Sequence, residues 1–215
     1  AVGTLPEDVR LAAALLGEAL VGASRWDAYR EVWPTRSELA ERLPIFWGEG
    51  LQLEAQAARF PGLGGQVRSR RALLKAASEA LGLPLDKLTW AHSLVATRAV
   101  GAKISACALL PGIDMANHDL RPNAELVVAG EPGVVTGRAT LTTRGDIWEH
   151  GSAGLLALRD IRAGEAVRIS YGGYPNQRLL LDYGFDLGDV NPKGDREDEQ
   201  EASSVAPSSE WARSD

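Results

Sequence analysis

DMANHDLRPN, residues 114–123, and ISYGGYPNQRLLLDYGF, residues 169–185, gather polar and aromatic side chains beside strand-like runs, and the fold turns on how they are read. Pro111, Gly112 and Pro122 bracket the first stretch as a loop. Asp114 and His118 could share a metal ion if it were helical, but no second His or Glu stands at ligand spacing. A plain polar turn is the other reading. In the second stretch Tyr171, Tyr174 and Tyr183 fall within thirteen residues of a chain that has only four tyrosines, interleaved with Gly172, Gly173 and Gly184. Such a cluster is either a set of core aromatics bonded to backbone through their hydroxyls or a site.

Outward from these stretches the pattern is that of short strands. Residues 105–110, 124–129, 134–141, 155–158 and 166–171 are β-rich, with a hairpin turn over 130–133, and a short helix follows over 176–183. Before Gly101 the chain reads as helices. Thr4 with Glu7, Ser24 with Asp27 and Thr35 with Glu38 are capping boxes or start signals, and Pro34 and Pro44 are stops. A Gly-rich break over 62–65 precedes a helix over 67–81, and Asp86 caps another running to about Val100. Helices first and strands afterwards predict an α+β fold, with a helical part over 1–100, a strand-rich part over 101–188 and an acidic linker or disordered tail over 189–215.

Charge narrows the function classes. Residues 189–215 carry eight acids and three bases, whereas residues 1–188 carry 21 acids and 20 bases, so the folded part is nearly neutral. It therefore lacks the basic face of a nucleic-acid binder, and Arg68, Arg70, Arg71 and Lys75 read as a solvated helix face. No apolar run approaches the ~18 residues that span a bilayer. The lone Cys107 excludes a disulfide framework and a Cys-rich zinc site, which predicts a reducing intracellular compartment: cytoplasm, nucleus or plastid stroma. No P-loop, Rossmann fingerprint or nucleophile elbow occurs.

One family joins the two stretches. D-x-x-N-H (Asp114, Asn117, His118), then G-E-x-x-x-x-S-Y-G (Gly164, Glu165, Ser170, Tyr171, Gly172), then N-x-x-L-L-x-x-Y-G-F (Asn176, Leu179, Leu180, Tyr183, Gly184, Phe185) resemble the C-terminal half of a SET-domain protein methyltransferase. WDAYREVWP from Trp26, LPIFWGEGLQL from Leu43 and WAHSLVATRAV from Trp90 resemble the helical insert of the rubisco large-subunit methyltransferase type, and DLGDVNPKGD over 186–195 its link to a helical substrate-binding domain.

The resemblance implies short sheets with a knot-like C-terminal crossing and transfer of methyl groups from S-adenosyl-L-methionine to a lysine of a non-histone protein. It implies no metal, nucleic acid or membrane. It makes Tyr171 the catalytic tyrosine and assigns Arg98, Asn117, His118, Tyr183 and Phe185 to the cofactor. Asp114 and the backbone at Thr97 would face the target amine, and Glu165 would serve a strand turn. His92 and His150 match no motif position and read as core or loop histidines. The family's N-terminal SET segment and C-terminal domain do not occur in this sequence, which begins at Ala1, so one wall of the cofactor pocket is expected to be open to solvent and cofactor binding to be weak unless another chain or the missing segment supplies that wall. A noncatalytic SET-like interaction module and a histidine acceptor are the alternative readings.

Overall fold

The computed structural model describes residues 5–20, 26–48, 53, 55, 58–100, 107–129 and 152–195. The expected boxes at Thr4 and Ser24, the strand over 134–141, the turn over 130–133, His150 and residues 196–215 lie outside the described residues. The chain forms two compact units that interleave in sequence, Ala1–Leu39 with Arg70–Gly172 and Ala40–Ser69 with Gly173–Asp215.

In the first unit, helix α1 (Glu7–Leu20) packs on a later helix, Leu85–Arg98. Val9, Ala12 and Leu16, spaced by three and four residues, put α1's apolar stripe in the core, where it meets the buried Leu88, Ala91, Leu94 and Val95. His92 lies in the same interface, 2% exposed, with its Nε2 3.0 Å from a carboxylate oxygen of Asp8. That hydrogen bond, the strongest influence on Asp8, holds its carboxyl below the usual range. His92 is thus a core histidine, as its lack of a motif predicts. Helix α2 (Asp27–Arg30) is a single turn. Helix α3 (Arg36–Ala40) opens on the expected capping box: Thr35 N–H donates to Glu38 at 2.7 Å, and Glu38 N–H donates to the Thr35 hydroxyl at 3.3 Å.

Helix α4 (Leu63–Leu81) begins four residues before the expected start. Gly64 and Gly65 are helical because Leu63 and Val67, both 0% exposed, anchor that first turn in the second unit's core, and burial outweighs the weak helix propensity of glycine. Helix α5 is Leu85–Arg98, with Pro84 rather than Asp86 at its N-cap; Asp86 sits in the first turn, where a carboxylate suits the helix dipole.

Four strands are described: β1 (Asn117–His118), β2 (Ala124–Ala129), β3 (Ser152–Ala157) and β4 (Arg168–Ile169). β2 and β3 pair antiparallel from Ala124↔Ala157 to Ala129↔Ser152, and β1 and β4 pair in parallel. Two expectations contract. The run over 166–171 keeps strand pairing only at Arg168–Ile169, and the described part of 105–110 contributes one bridge, Val100↔Ala108. Ala116, Ala124 and Ile169 form the local core, with Leu155 and Tyr171 packed on it.

In the second unit, helix α6 (Asn176–Tyr183) matches the expected bounds, and Gly184 ends it at φ +78°. Its Leu180 and Leu181 bury against Trp47, Phe60, Leu63 and Val67. Asn176, 0% exposed, accepts from Leu187 N–H at 2.9 Å and from the Asn191 amide at 2.8 Å, and donates to Asp195 at 2.8 Å.

Candidate functional site

The two stretches quoted at the outset meet in the β1/β4 pair, with Asn117 opposite Arg168 and His118 opposite Ile169. Strands this short need side-chain support. Asn123, 2% exposed, supplies it: its amide donates to Glu165 at 3.1 Å and to the Ala166 carbonyl at 2.9 Å, and its oxygen accepts from Arg168 N–H at 2.8 Å. Glu165 also accepts from Arg159 and from Arg162 N–H, and the Arg159 guanidinium foremost pulls its carboxyl down to about 2. The strand-turn role expected of Glu165 is what its contacts describe.

Tyr171 follows β4 directly and turns back over β1. Its N–H donates to His118 Nδ1 at 3.1 Å, its ring lies 5.4 Å from the imidazole at 42°, and its hydroxyl donates to the Ala116 carbonyl at 3.1 Å. An Nδ1 that accepts a backbone N–H has its proton on Nε2, so the imidazole is neutral. Burial acts in the same direction, lowering the His118 pKa, while Asp119 opposes it. Burial likewise raises the Tyr171 pKa, with Arg98 acting against and Asp114 with that shift. Tyr171 is a phenol at neutral pH, and its proton points at Ala116.

Asp114 stands in the one-turn 3-10 helix Ile113–Met115, which Gly112 enters at φ +84°. Its side chain is 0% exposed; one oxygen accepts from Arg98 at 3.3 Å and from the Tyr29 hydroxyl. The other is buried without a donor among the described residues. A carboxylate held this way by a guanidinium and a phenol keeps one oxygen without a donor among the described residues. Burial foremost, then the Asp114 contact, raises the Tyr29 pKa, so Tyr29 remains the donor. Arg98, at the C-terminus of α5, also donates to the Val32 carbonyl at 3.3 Å; with its side chain 18% exposed it is not a solvent-facing helix-end arginine.

The other expected site residues are placed as follows. Asn117 is exposed on β1. The Thr97 hydroxyl bonds within its own helix, to the Ser93 carbonyl at 2.9 Å. Tyr183 and Phe185 belong to the second unit, their rings 6.2 Å apart across Gly184. Sequence reasoning missed Tyr29 and Asn123. Tyr29 lies in the WDAYREVWP run, which marked the helical insert but no site role. Asn123 closes the 114–123 stretch without belonging to the D-x-x-N-H pattern.

No family model matches the sequence, and no curated protein does. Among solved structures, the SET domain of LSMT bound to lysine and AdoHcy matches with a TM-score of 0.61 at 20% identity, over 87% of this chain and 42% of that one. Rubisco LSMT bound to AdoMet matches with a TM-score of 0.50 at 20% identity, over 87% of this chain and 41% of that one. This chain therefore spans about two fifths of the length of those chains. At this identity the likeness establishes the fold, which is that of a SET domain.

Proposed function

We propose that the chain carries part of an S-adenosyl-L-methionine-dependent protein methyltransferase acting on a lysine of a non-histone protein. The observation that carries this reading is Tyr171: a half-buried phenol whose proton is committed to Ala116, close enough to Arg98 and Asp114 to feel both charges. The solved SET domain of similar fold holds lysine and AdoHcy.

The residues present fit the cofactor's chemistry. Asn117 and His118, held on β1 opposite Arg168 and Ile169 of β4, would by the family resemblance meet the adenine through their backbone. Arg98 has five N–H donors and spends two on Asp114 and Val32, leaving capacity for a carboxylate. Bound there, the cofactor supplies an electrophilic methyl group on a sulfonium.

The chain must present a neutral amine in line with that methyl. A lysine of pKa ~10.4 is protonated at pH 7, and stripping the proton costs ~4.6 kcal/mol at ~1.36 kcal/mol per unit. Tyr171, with its pKa raised, is a poor base. Its hydroxyl, having donated to Ala116, offers lone pairs that accept an amine N–H and so turn the nitrogen lone pair toward the methyl. Asp114, whose second oxygen is buried without a donor among the described residues, would by the family resemblance face the same amine. Titration with S-adenosyl-L-methionine by calorimetry tests the reading: saturable binding is expected, and none at millimolar ligand would favour a noncatalytic module. A lysine peptide scored against a histidine peptide in a radiolabel assay decides the acceptor.

A further inference from the structure

The WDAYREVWP run, residues 26–34, has no part in the transfer reading, yet it reaches the Asp114 carboxylate. Tyr29, in the single turn of α2, donates its hydroxyl to the oxygen of Asp114 that Arg98 also holds. Three contacts fix this phenol and its segment. The Trp33 ring meets it edge-on at 87° with centroids 5.6 Å apart, the Val32 carbonyl accepts from Arg98 at 3.3 Å, and the Pro34 carbonyl accepts from Trp90 Nε1 at 2.9 Å. Resting on the transfer reading, in which Asp114 faces the target amine, we propose that Tyr29 is a positioning residue. It holds the Asp114 carboxylate in place and weakens its grip on the lysine ammonium, so that the amine sheds its proton there.

A carboxylate beside a lysine head acts in two opposed ways. It accepts an N–H and so orients the nitrogen, but its negative charge favours the ammonium, which has no lone pair with which to attack. Each donor already on the carboxylate draws electron density away and lessens that second effect. Asp114 carries two such donors on one oxygen, while its other oxygen is buried without a donor among the described residues. The titratable and charged groups around it come from three elements: Tyr29 from α2, Arg98 from the end of α5, and Tyr171 after β4, close enough to feel both Arg98 and Asp114. Tyr171 bonds the carbonyl of Ala116, the C-cap of the 3-10 turn that carries Asp114, so phenol and carboxylate adjoin the same turn of chain. Burial foremost, then the Asp114 contact, raises the Tyr29 pKa, so Tyr29 stays a donor where an amine titrates.

The test uses the full chain, S-adenosylhomocysteine and lysine labelled with carbon-13 at Cε, whose shift follows the protonation of Nζ. Tyr29→Phe keeps the ring and its packing on Trp33. It should raise the pKa of the bound amine by about 0.5 to 1. Transfer from radiolabelled S-adenosyl-L-methionine should then fall about three- to tenfold at pH 7 and recover as pH rises past the amine's pKa. A purely structural role would lower the rate equally at every pH and leave the amine's pKa alone. Asp114→Asn removes the charge, so adding Tyr29→Phe to it should shift the amine no further. Equal amine pKa values in the wild type and Tyr29→Phe overturn the role of Tyr29 and leave the transfer reading standing, as does a further shift in the Asp114→Asn background. A raised amine pKa with no transfer by any chain keeps Tyr29 at a lysine site and overturns the transfer reading instead. Lysine that binds none of the chains overturns both.

Discussion

Tyr171 makes its contacts through three groups, the backbone N–H, the ring and the hydroxyl, and they can be separated by substitution. Tyr171→Phe keeps the first two. Stability should fall by ~1 kcal/mol, the usual net value of one hydrogen bond, whereas methyl transfer, if the proposed role holds, should fall ~100-fold, or ~3 kcal/mol of barrier. Full activity in a folded Tyr171→Phe protein, scored with radiolabelled cofactor, would remove Tyr171 from the chemistry. His118 gives a pH test whose sign follows from its lowered pKa. The unfolded imidazole takes its proton near 6.5 and the folded one only at lower pH, so between the two the unfolded chain binds more protons. Stability should therefore drop as pH falls below about 6.5, with a protonated Nδ1 also opposing the Tyr171 N–H. Urea melts at pH 7.5 and 5.5 of the wild type and His118→Gln isolate the effect, since every other group is common to both; equal slopes would refute it. At this scale the sequence was readable where residues form a motif, as with Tyr171, and unreadable where a contact spans the chain. Tyr29 and Asp114 are 85 positions apart, and nothing local to either announces the other.

Among the elements, α6 was legible end to end because its punctuation is local: Pro175 at the N-cap and Gly184 beyond the last turn. Gly184 carries two demands. Its φ of +78° strains any side chain, and a Cβ there would lie 2.8 Å from the Cβ of Arg42. Gly184→Ala should therefore cost ~1–3 kcal/mol, read as a lower urea midpoint, whereas Gly82→Ala, at φ +63° with nothing within 4 Å, should cost the backbone strain alone. Equal losses would show that the Arg42 contact relaxes freely. The start of α4 was misread for the opposite reason. Gly64 and Gly65 signal a break locally, but the burial of Leu63 and Val67 decides, and burial is a property of the folded unit. β1 escaped notice inside a loop because two residues hold no alternation to detect, and only pairing with β4 makes them a strand.

For the whole molecule, the sequence order of helices before strands predicted the α+β class but not the interleaving, in which each unit draws on two separate stretches of chain. Composition cannot reveal such a division, because the second unit's core joins Trp47 and Phe60 to Leu180 and Leu181 across more than a hundred residues. What closes that unit is polar. Asn176 N–H donates to the Gly194 carbonyl at 2.9 Å and Gln177 N–H to the Asp195 carbonyl at 3.0 Å, while the Asn176 side chain accepts from the Asn191 amide and donates to the Asp195 carboxylate. Arg59 adds ion pairs to Asp186 at 3.3 Å and Asp195 at 3.2 Å, which are exposed and worth little singly. A chain ended at residue 188 would strip the buried Asn176 of three of these partners, each loss costing ~1–3 kcal/mol where a buried donor or acceptor goes unsatisfied. Compared with a chain ended at residue 195, it should unfold at a midpoint lower by ~10 °C or more, taking ~2–4 °C per kcal/mol for a chain of this size. Hydrogen exchange adds the location: amides of α6 should lose protection before those of α1 and α5, which bury their own interface in the other unit. Coincident midpoints for the two truncated chains would show that residues 189–195 decorate the second unit without closing it.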